Sequence, residues 1–186
     1  MGWQVDYAHS EIEAAVRHMM ISNVRGKFEK FTVDAQIDEQ HPERSQVTVQ
    51  IDAASVNTKN EQRDGHLKSP DFLEVAKYPH ITFKSTRAEI VDAAHGKLYG
   101  NLTIRDVTKP VVLDVAYAGQ AKSPWGTINA GFSAETTVSR KEWGLNWNAA
   151  LETGGWLVGD EVKIGIEIEF VKQAEPVAQP VSNASA

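Results

Sequence analysis

A chain of 186 residues with 41% apolar and 24% charged side chains has the balance of one globular domain rather than of a disordered or fibrous polymer. Its formal charge of -6 argues against nucleic acid and anionic lipid surfaces as partners, and the absence of cysteine removes disulfides, thiolate metal sites and cysteine nucleophiles. No apolar run reaches the ~20 residues of a membrane span, and the opening MGWQVDYAHSEIEAAV carries charges where an export signal needs about 7 to 15 apolar residues, so a cytoplasmic location is expected.

In chain order, a first strand is expected around Trp3 to Tyr7. Ile12, Ala14, Val16, His18 and Met20 then share one face at period two, the pattern of a strand that buries one side. Phe28 and Phe31 stand three apart before Phe31, Val33, Ala35 and Ile37 resume the alternation, which predicts a bulge near Glu29 and Lys30. Val47, Val49, Ile51 and Ala53 form the next strand.

Helix signals interrupt the pattern here. Thr58 and Glu61 have capping-box spacing, and Ser69-Pro70-Asp71 offers a capping hydroxyl, a proline suited to a first turn and an acid beside it, so two short helices are expected. Tyr78-Pro79 ends the second, and the insert would cover one barrel mouth. Arg63, Asp64, His66 and Lys68 within it read either as a solvated helix face or as a polar collar.

Alternation returns in Ile81 and Phe83, in Leu98, Gly100, Leu102 and Ile104, in Val111, Leu113, Val115 and Tyr117, and in Ile128 to Val138. The clearest case closes the series: Val162, Ile164, Ile166, Ile168 and Phe170 oppose Lys163, Gly165, Glu167 and Glu169. Beyond Lys172 the segment QAEPVAQPVSNASA has no apolar period, so a domain over 1–172 and a flexible tail over 173–186 are expected.

So many short strands leave edges exposed unless the sheet curls shut, and an all-β, extended antiparallel barrel with a short helical insert follows. At about eight strands a barrel interior is either filled by side chains or holds one small ligand. The residues expected to line it are Val16, His18 and Met20 on the first long strand, Phe28 and Phe31 at the interruption, and Val49 and Ile51 on the next. Phe83, Leu102, Ile104 and Leu113 follow, then Phe132 and Ile166, with Phe72 from the insert. Trp147 and Trp156 join them from a Gly- and Asn-rich stretch that with Trp143 holds three of the five tryptophans, where structural packing is the rival explanation.

No phosphate-loop, dinucleotide, HExxH or GxSxG pattern occurs, and no two of the six histidines have metal-ligand spacing. No catalytic residue, metal or cofactor is therefore expected.

Four stretches together carry a resemblance: WQVDYAHSEIEAAVRHM, with Trp3, Asp6, His9, Ser10 and His18; RDGHLKSPDFLEVAKYPHITFKS, with Arg63, His66, Ser69, Phe72, Tyr78 and Phe83; GNLTIRDVTKPVVL, with Gly100, Thr103, Thr108, Lys109 and Pro110; and SRKEWGL with VGDEVKIGIEIE, through Arg140, Trp143, Gly144, Gly159 and Asp160. In these the chain resembles the YceI-like family of bacterial lipid-binding proteins, although a phenylalanine usual near Ala14 is missing and Asp106 stands where glycine is common. The resemblance implies a lipocalin-like barrel of about eight to ten strands. It also implies an apolar channel for a polyisoprenoid or similar amphiphilic lipid, such as a polyprenyl phosphate or an isoprenoid quinone, a transport role without catalysis, and a homodimer. Many relatives are exported, whereas this chain lacks their signal.

Burying one five-carbon isoprene unit yields about 3 to 4 kcal/mol against roughly 4 to 15 kcal/mol for immobilising the ligand, so four or more units suffice. A head group would need polar partners at the mouth, and Arg63 and His66 are the candidates. Two other readings stay open: an enzyme acting on an amphiphile inside the same barrel with His18, His66 or an acid as base, and a filled, stress-related barrel acting through its surface.

Overall fold

The computed structural model describes residues 2–172; the expected tail lies outside them. Ten strands follow one another with a single α-helix among the described residues: β1 (Trp3–His18), β2 (Ser22–Phe28), β3 (Phe31–Gln36), β4 (Gln46–Asp52), β5 (Val56–Asn57), α1 (Glu61–Lys68), β6 (His80–Ile90), β7 (His95–Ile104), β8 (Val107–Lys122), β9 (Ile128–Ser139) and β10 (Val158–Lys172). All pairings are antiparallel, in the order β3-β4-β6-β7-β8-β9-β10-β1-β2-β5.

Register turns the period-two alternation into continuous apolar rows. Ile12 stands opposite Ile166, Ile166 opposite Ala134 and Ala134 opposite Val115; Val16 meets Val162, which meets Val138. On the other side Phe31 faces Ile51 and Ile51 faces Ile81, while Val49, Phe83 and Leu102 form a second row. A one-residue slip would turn any of these strands inside out, so the apolar rows pin the register. The all-β antiparallel barrel read from the sequence is the fold observed.

Three local expectations are corrected. The bulge expected at Glu29 and Lys30 is a corner where the strand ends: β2 pairs with β1 and β5, whereas β3 pairs with β4. The neighbouring strand bends with it, because Glu29 N–H donates to Ser55 O and Asp52 N–H to Lys30 O. Of the two expected helices only α1 forms, and its N-cap is Asn60, whose side chain accepts from Arg63 N–H at 2.9 Å, not Thr58. Residues 69–78 instead make successive turns, with Glu74 at φ 48 where a helix cannot continue. Finally the face shared by Ile12 to His18 stops at His18, so Met20 leaves the strand for the hairpin turn.

The sheet curls without a complete hydrogen-bonded ring, since β3 and β5 end the strand order. Side chains hold the seam between β3 and the first half of β1. Val33 N–H donates to Tyr7 Oη at 3.3 Å, the Tyr7 and Phe31 rings meet edge to face at 5.6 Å, and Glu39 accepts from Trp3 Nε1 at 3.2 Å and Lys172 Nζ at 2.6 Å. β1 bends at a bulge between Asp6 and Glu11. Ser10 Oγ staples it by donating to Asp6 O at 2.6 Å and accepting from Glu169 N–H at 3.0 Å.

Candidate functional site

The inward rows are apolar along β1, β8, β9 and β10, yet most of their side chains are only half-buried. Val16, Val115, Phe132, Ala134, Val138, Ile164 and Ile166 all keep part of their surface open. Ile12, Ile51, Ile81, Phe83, Leu102, Val111 and Leu113 are buried, so the dense core runs from β4, β6 and β7 into the first half of β8 and reaches Ile12 on β1, while Ala130 and Phe170 are buried on β9 and β10. Interiors of proteins normally close to crystal-like density. A long apolar face that stays half-open therefore leaves hydrocarbon surface for something else to cover.

One end of the barrel carries a cover made of two segments. The first is α1 with the turns after it, tied down by an Arg105–Glu74 ion pair at 2.5 Å. The second is residues 140–157, organised by Arg140. Its guanidinium is 3% exposed and donates to Gly159 O at 2.9 Å and to Trp147 O at 2.9 Å as well as to Leu145 O. Burial pushes its pKa down while Asp160 opposes that shift. Trp143 is fully buried nearby and donates Nε1–H to Leu102 O at 3.1 Å. The two segments meet in an aromatic cluster, where the His66 ring stands edge-on to Trp147 at 4.5 Å and to Phe72 at 5.0 Å.

At the seam lies a groove of about 720 Å³, lined by Tyr7, Ser10, Phe28, Phe31 and the polar residues of the β2–β3 corner and β4. Phe28 and Phe31 also pack against the core, so the groove reaches the apolar interior from the side.

The expected lining residues divide accordingly. Ile51, Phe83, Leu102 and Leu113 belong to the buried core, with Phe28, Phe31, Val49, Ile104 and Ile166 packed against it. Val16 and Phe132 lie on the half-open rows, and Phe72 and Trp147 in the cover. His18 ends β1, half-buried. Met20 and Trp156 are 62% and 60% exposed, away from these rows, because Met20 stands in the hairpin turn and Trp156 in an isolated bridge to Ala150 outside the ten strands.

The head-group candidates separate too. Arg63 is committed to its own loop, donating Nε–H to Thr58 Oγ1 at 2.7 Å and Nη2–H to Thr58 O at 2.9 Å, while Thr58 Oγ1 donates to Asp64 at 2.6 Å. His66 bonds Asp71 through Nε2 at 2.9 Å while its ring packs in the aromatic cluster. Lys109, singled out in the sequence only within a motif of the resemblance and not as a lining residue, is half-buried, pairs across from Leu102 and so shares its inward face. Its place in a strand of strict alternation was the available signal: Val107, Lys109, Val111 and Leu113 are on one side.

Asp6, His9 and Glu169 each bring one potential ligand atom within 4.8 Å of the others. Hydrogen bonds account for the grouping. His9 Nδ1 meets Asp6 Oδ2 at 2.9 Å, Asp6 Oδ1 takes Ala8 N–H at 2.9 Å, and Asn129 Nδ2–H donates to Glu169 Oε1 at 2.5 Å. The His9 bond lowers the pKa of Asp6, and Asp6 raises that of His9. This is a clasp on the bulge rather than a vacancy shaped for an ion.

Comparison with known proteins agrees with the geometry. The UPF0312 protein SA2479 of Staphylococcus aureus (strain N315) is 38% identical over 166 residues, which is 89% of this chain and 94% of that one. The Campylobacter jejuni YCEI protein superposes with a TM-score of 0.73 at 34% identity, covering 85% of this chain and 90% of that one. Burkholderia cenocepacia BcnA (TM-score 0.78, 22% identity, 89% and 99% covered) and a polyisoprenoid-binding domain from Saccharophagus degradans (0.63, 14%, 92% and 98%) share the fold. With the YceI-like domain model matching residues 3–170, nearly the whole described barrel, this chain belongs to the YceI-like family.

Proposed function

We propose that this barrel is a non-catalytic carrier that holds the tail of an isoprenoid lipid, a polyprenyl phosphate or an isoprenoid quinone, along its half-open apolar rows. The observation that carries the reading is the pairing of apolar character with incomplete burial on β1, β8, β9 and β10. The polyisoprenoid-binding description of the Saccharophagus degradans domain, which shares the fold, supports the ligand class. The tail would lie against Val115, Ala134 and Ile166, and the head group would stand at the covered end, where His66 belongs to the aromatic cluster and Lys109, opposite Leu102 on the inward face of β8, offers a cation.

The test is native mass spectrometry of the purified protein with added polyprenols of increasing length. Affinity should climb with each isoprene unit, by at most about 3 to 4 kcal/mol, until the interior is full. Failure to take up any chain length, with nothing co-purifying, would sink the carrier reading.

A further inference from the structure

The turn that joins β1 to β2 breaks two rules at once. Ile21 N–H donates to His18 O at 3.1 Å across Met19 and Met20, whose φ values are 50 and 65, the positive pair characteristic of a type I′ turn. Asn-Gly or Gly-Gly is the favoured occupant, and a side chain in the left-handed region costs roughly 1 kcal/mol or more at each position. Here both places hold methionine, two of the three in the chain. The same tip also leaves its apolar side chains in solvent: Met19, Met20 and Ile21 are 41%, 62% and 77% exposed.

A second loop completes the patch. Met19 N–H donates to Leu157 O at 2.8 Å, and Met20 Sδ lies 2.3 Å from where a Cβ on Gly155 would stand, so the thioether rests on that glycine beside the exposed Trp156. Local conformational preference and burial both argue against these residues, and strain combined with exposure points outward to a partner.

We propose that Met19, Met20, Ile21 and Trp156 form the tip through which the protein docks on a zwitterionic lipid bilayer, an inference that rests on the lipid-carrier reading above. A convex tip of four side chains is far smaller than the ~800 Å² per partner that a stable protein interface buries. Ser22 and Asn23 beside it are uncharged, and the first charged side chains on the two arms of the hairpin are Arg17 and Arg25, both cations and both exposed, Arg25 also pairing with Glu13 at 3.0 Å; the acid in the Trp156 loop is the exposed Glu152. That order, an apolar point with tryptophan at its side and arginines behind it, suits acyl chains below and lipid phosphates above. The overall charge of -6 selects a neutral membrane over an anionic one. Trp156 shares its segment with Trp147, which packs against the insert, so the docking tip and the cover of the barrel are one continuous piece of chain.

The experiment is co-flotation of the full chain with phosphatidylcholine vesicles, comparing wild type with M19N/M20G. The double variant installs the residue types the turn favours, so its Tm should hold or rise while its partition onto vesicles falls at least about tenfold. Ile21→Ser, outside the two left-handed positions, should weaken partition without touching the turn strain. Polyprenol supplied from cyclodextrin should enter wild type and M19N/M20G equally, whereas uptake from vesicles should slow only in the variant. Equal flotation of all three proteins, no flotation of wild type, or a dimer in sedimentation that M19N/M20G converts to monomer would overturn the proposal. Failure of wild type to take polyprenol from cyclodextrin would strike the carrier reading instead, while flotation still decides the docking.

Discussion

At position 140 a single guanidinium replaces the backbone donors that a strand or helix would have supplied. Gly159, Leu145 and Trp147 all direct carbonyls at it, and no regular element runs through 144–157. Arg140→Leu should therefore orphan several acceptors at about 1 to 3 kcal/mol each, and urea denaturation should show a loss of roughly 3 kcal/mol or more. Arg140→Lys keeps the charge but not the fork, and should fall between. None of this was legible in SRKEWGL except through resemblance, because one charge before an irregular Trp- and Gly-rich stretch has no period to read. The His9–Asp6 clasp carries a pH signature. His9 is raised above 6.5, so its contribution is complete below that value and fades as pH climbs through the folded pKa. Asp6 is lowered from 3.8, so its contribution is complete above that value and fades as pH falls through the folded pKa. The clasp is thus firmest between the two. Titration by NMR should place the His9 imidazole above 6.5 in the wild type and move it down toward the ordinary value in Asp6→Asn, with Glu169 still holding it up.

Among elements, strands were readable wherever one face is apolar and the other wet, and β10 is the plainest because Ile164, Ile166 and Ile168 alternate with glycine and glutamate. The corner between β2 and β3 was visible as a break in phase between Phe28 and Phe31, but phase alone does not say whether a strand bulges or changes partners. The second helix failed for a different reason. Ser69-Pro70-Asp71 supplies sound capping chemistry, yet Phe72 must reach the His66 and Trp147 rings, and the chain spends Glu74 in the left-handed region to bring it there. Tertiary packing outweighs a weak local preference. The half-open rows give the element-scale prediction. Ala134 lies between Val115 and Ile166, so Ala134→Phe adds a ring where the tail is proposed to lie. Thermal melting should show unchanged or higher stability together with lost polyprenol uptake. A destabilisation of about 1 to 3 kcal/mol would mean that the interior was already full.

For the molecule as a whole, the count and alternation of strands pointed to a closed surface, and the curled sheet answers that need with side chains at its seam instead of a last ladder. Nothing in a period-two pattern distinguishes the two, since Tyr7 and Glu39 act there through ring and carboxylate. The division of the interior was equally hidden. Phe83 belongs to the packed side because Gly100 lets its ring lie where a Cβ would stand 2.3 Å from Cζ, a fit between two strands that neither strand announces alone. The site was legible as a set of apolar faces, and its two halves, one dense and one half-open, were not.

Strand β1 meets its main neighbour only at the far end of the chain, Trp3 opposite Lys172. On a ribosome adding about 5 to 20 residues per second, the greasy side of that strand waits on the order of ten seconds for β10 to emerge. Glu11, Glu13 and Arg17, on its other side, keep that waiting segment in solution, so the charges that look ornamental on the finished surface protect the birth of the fold.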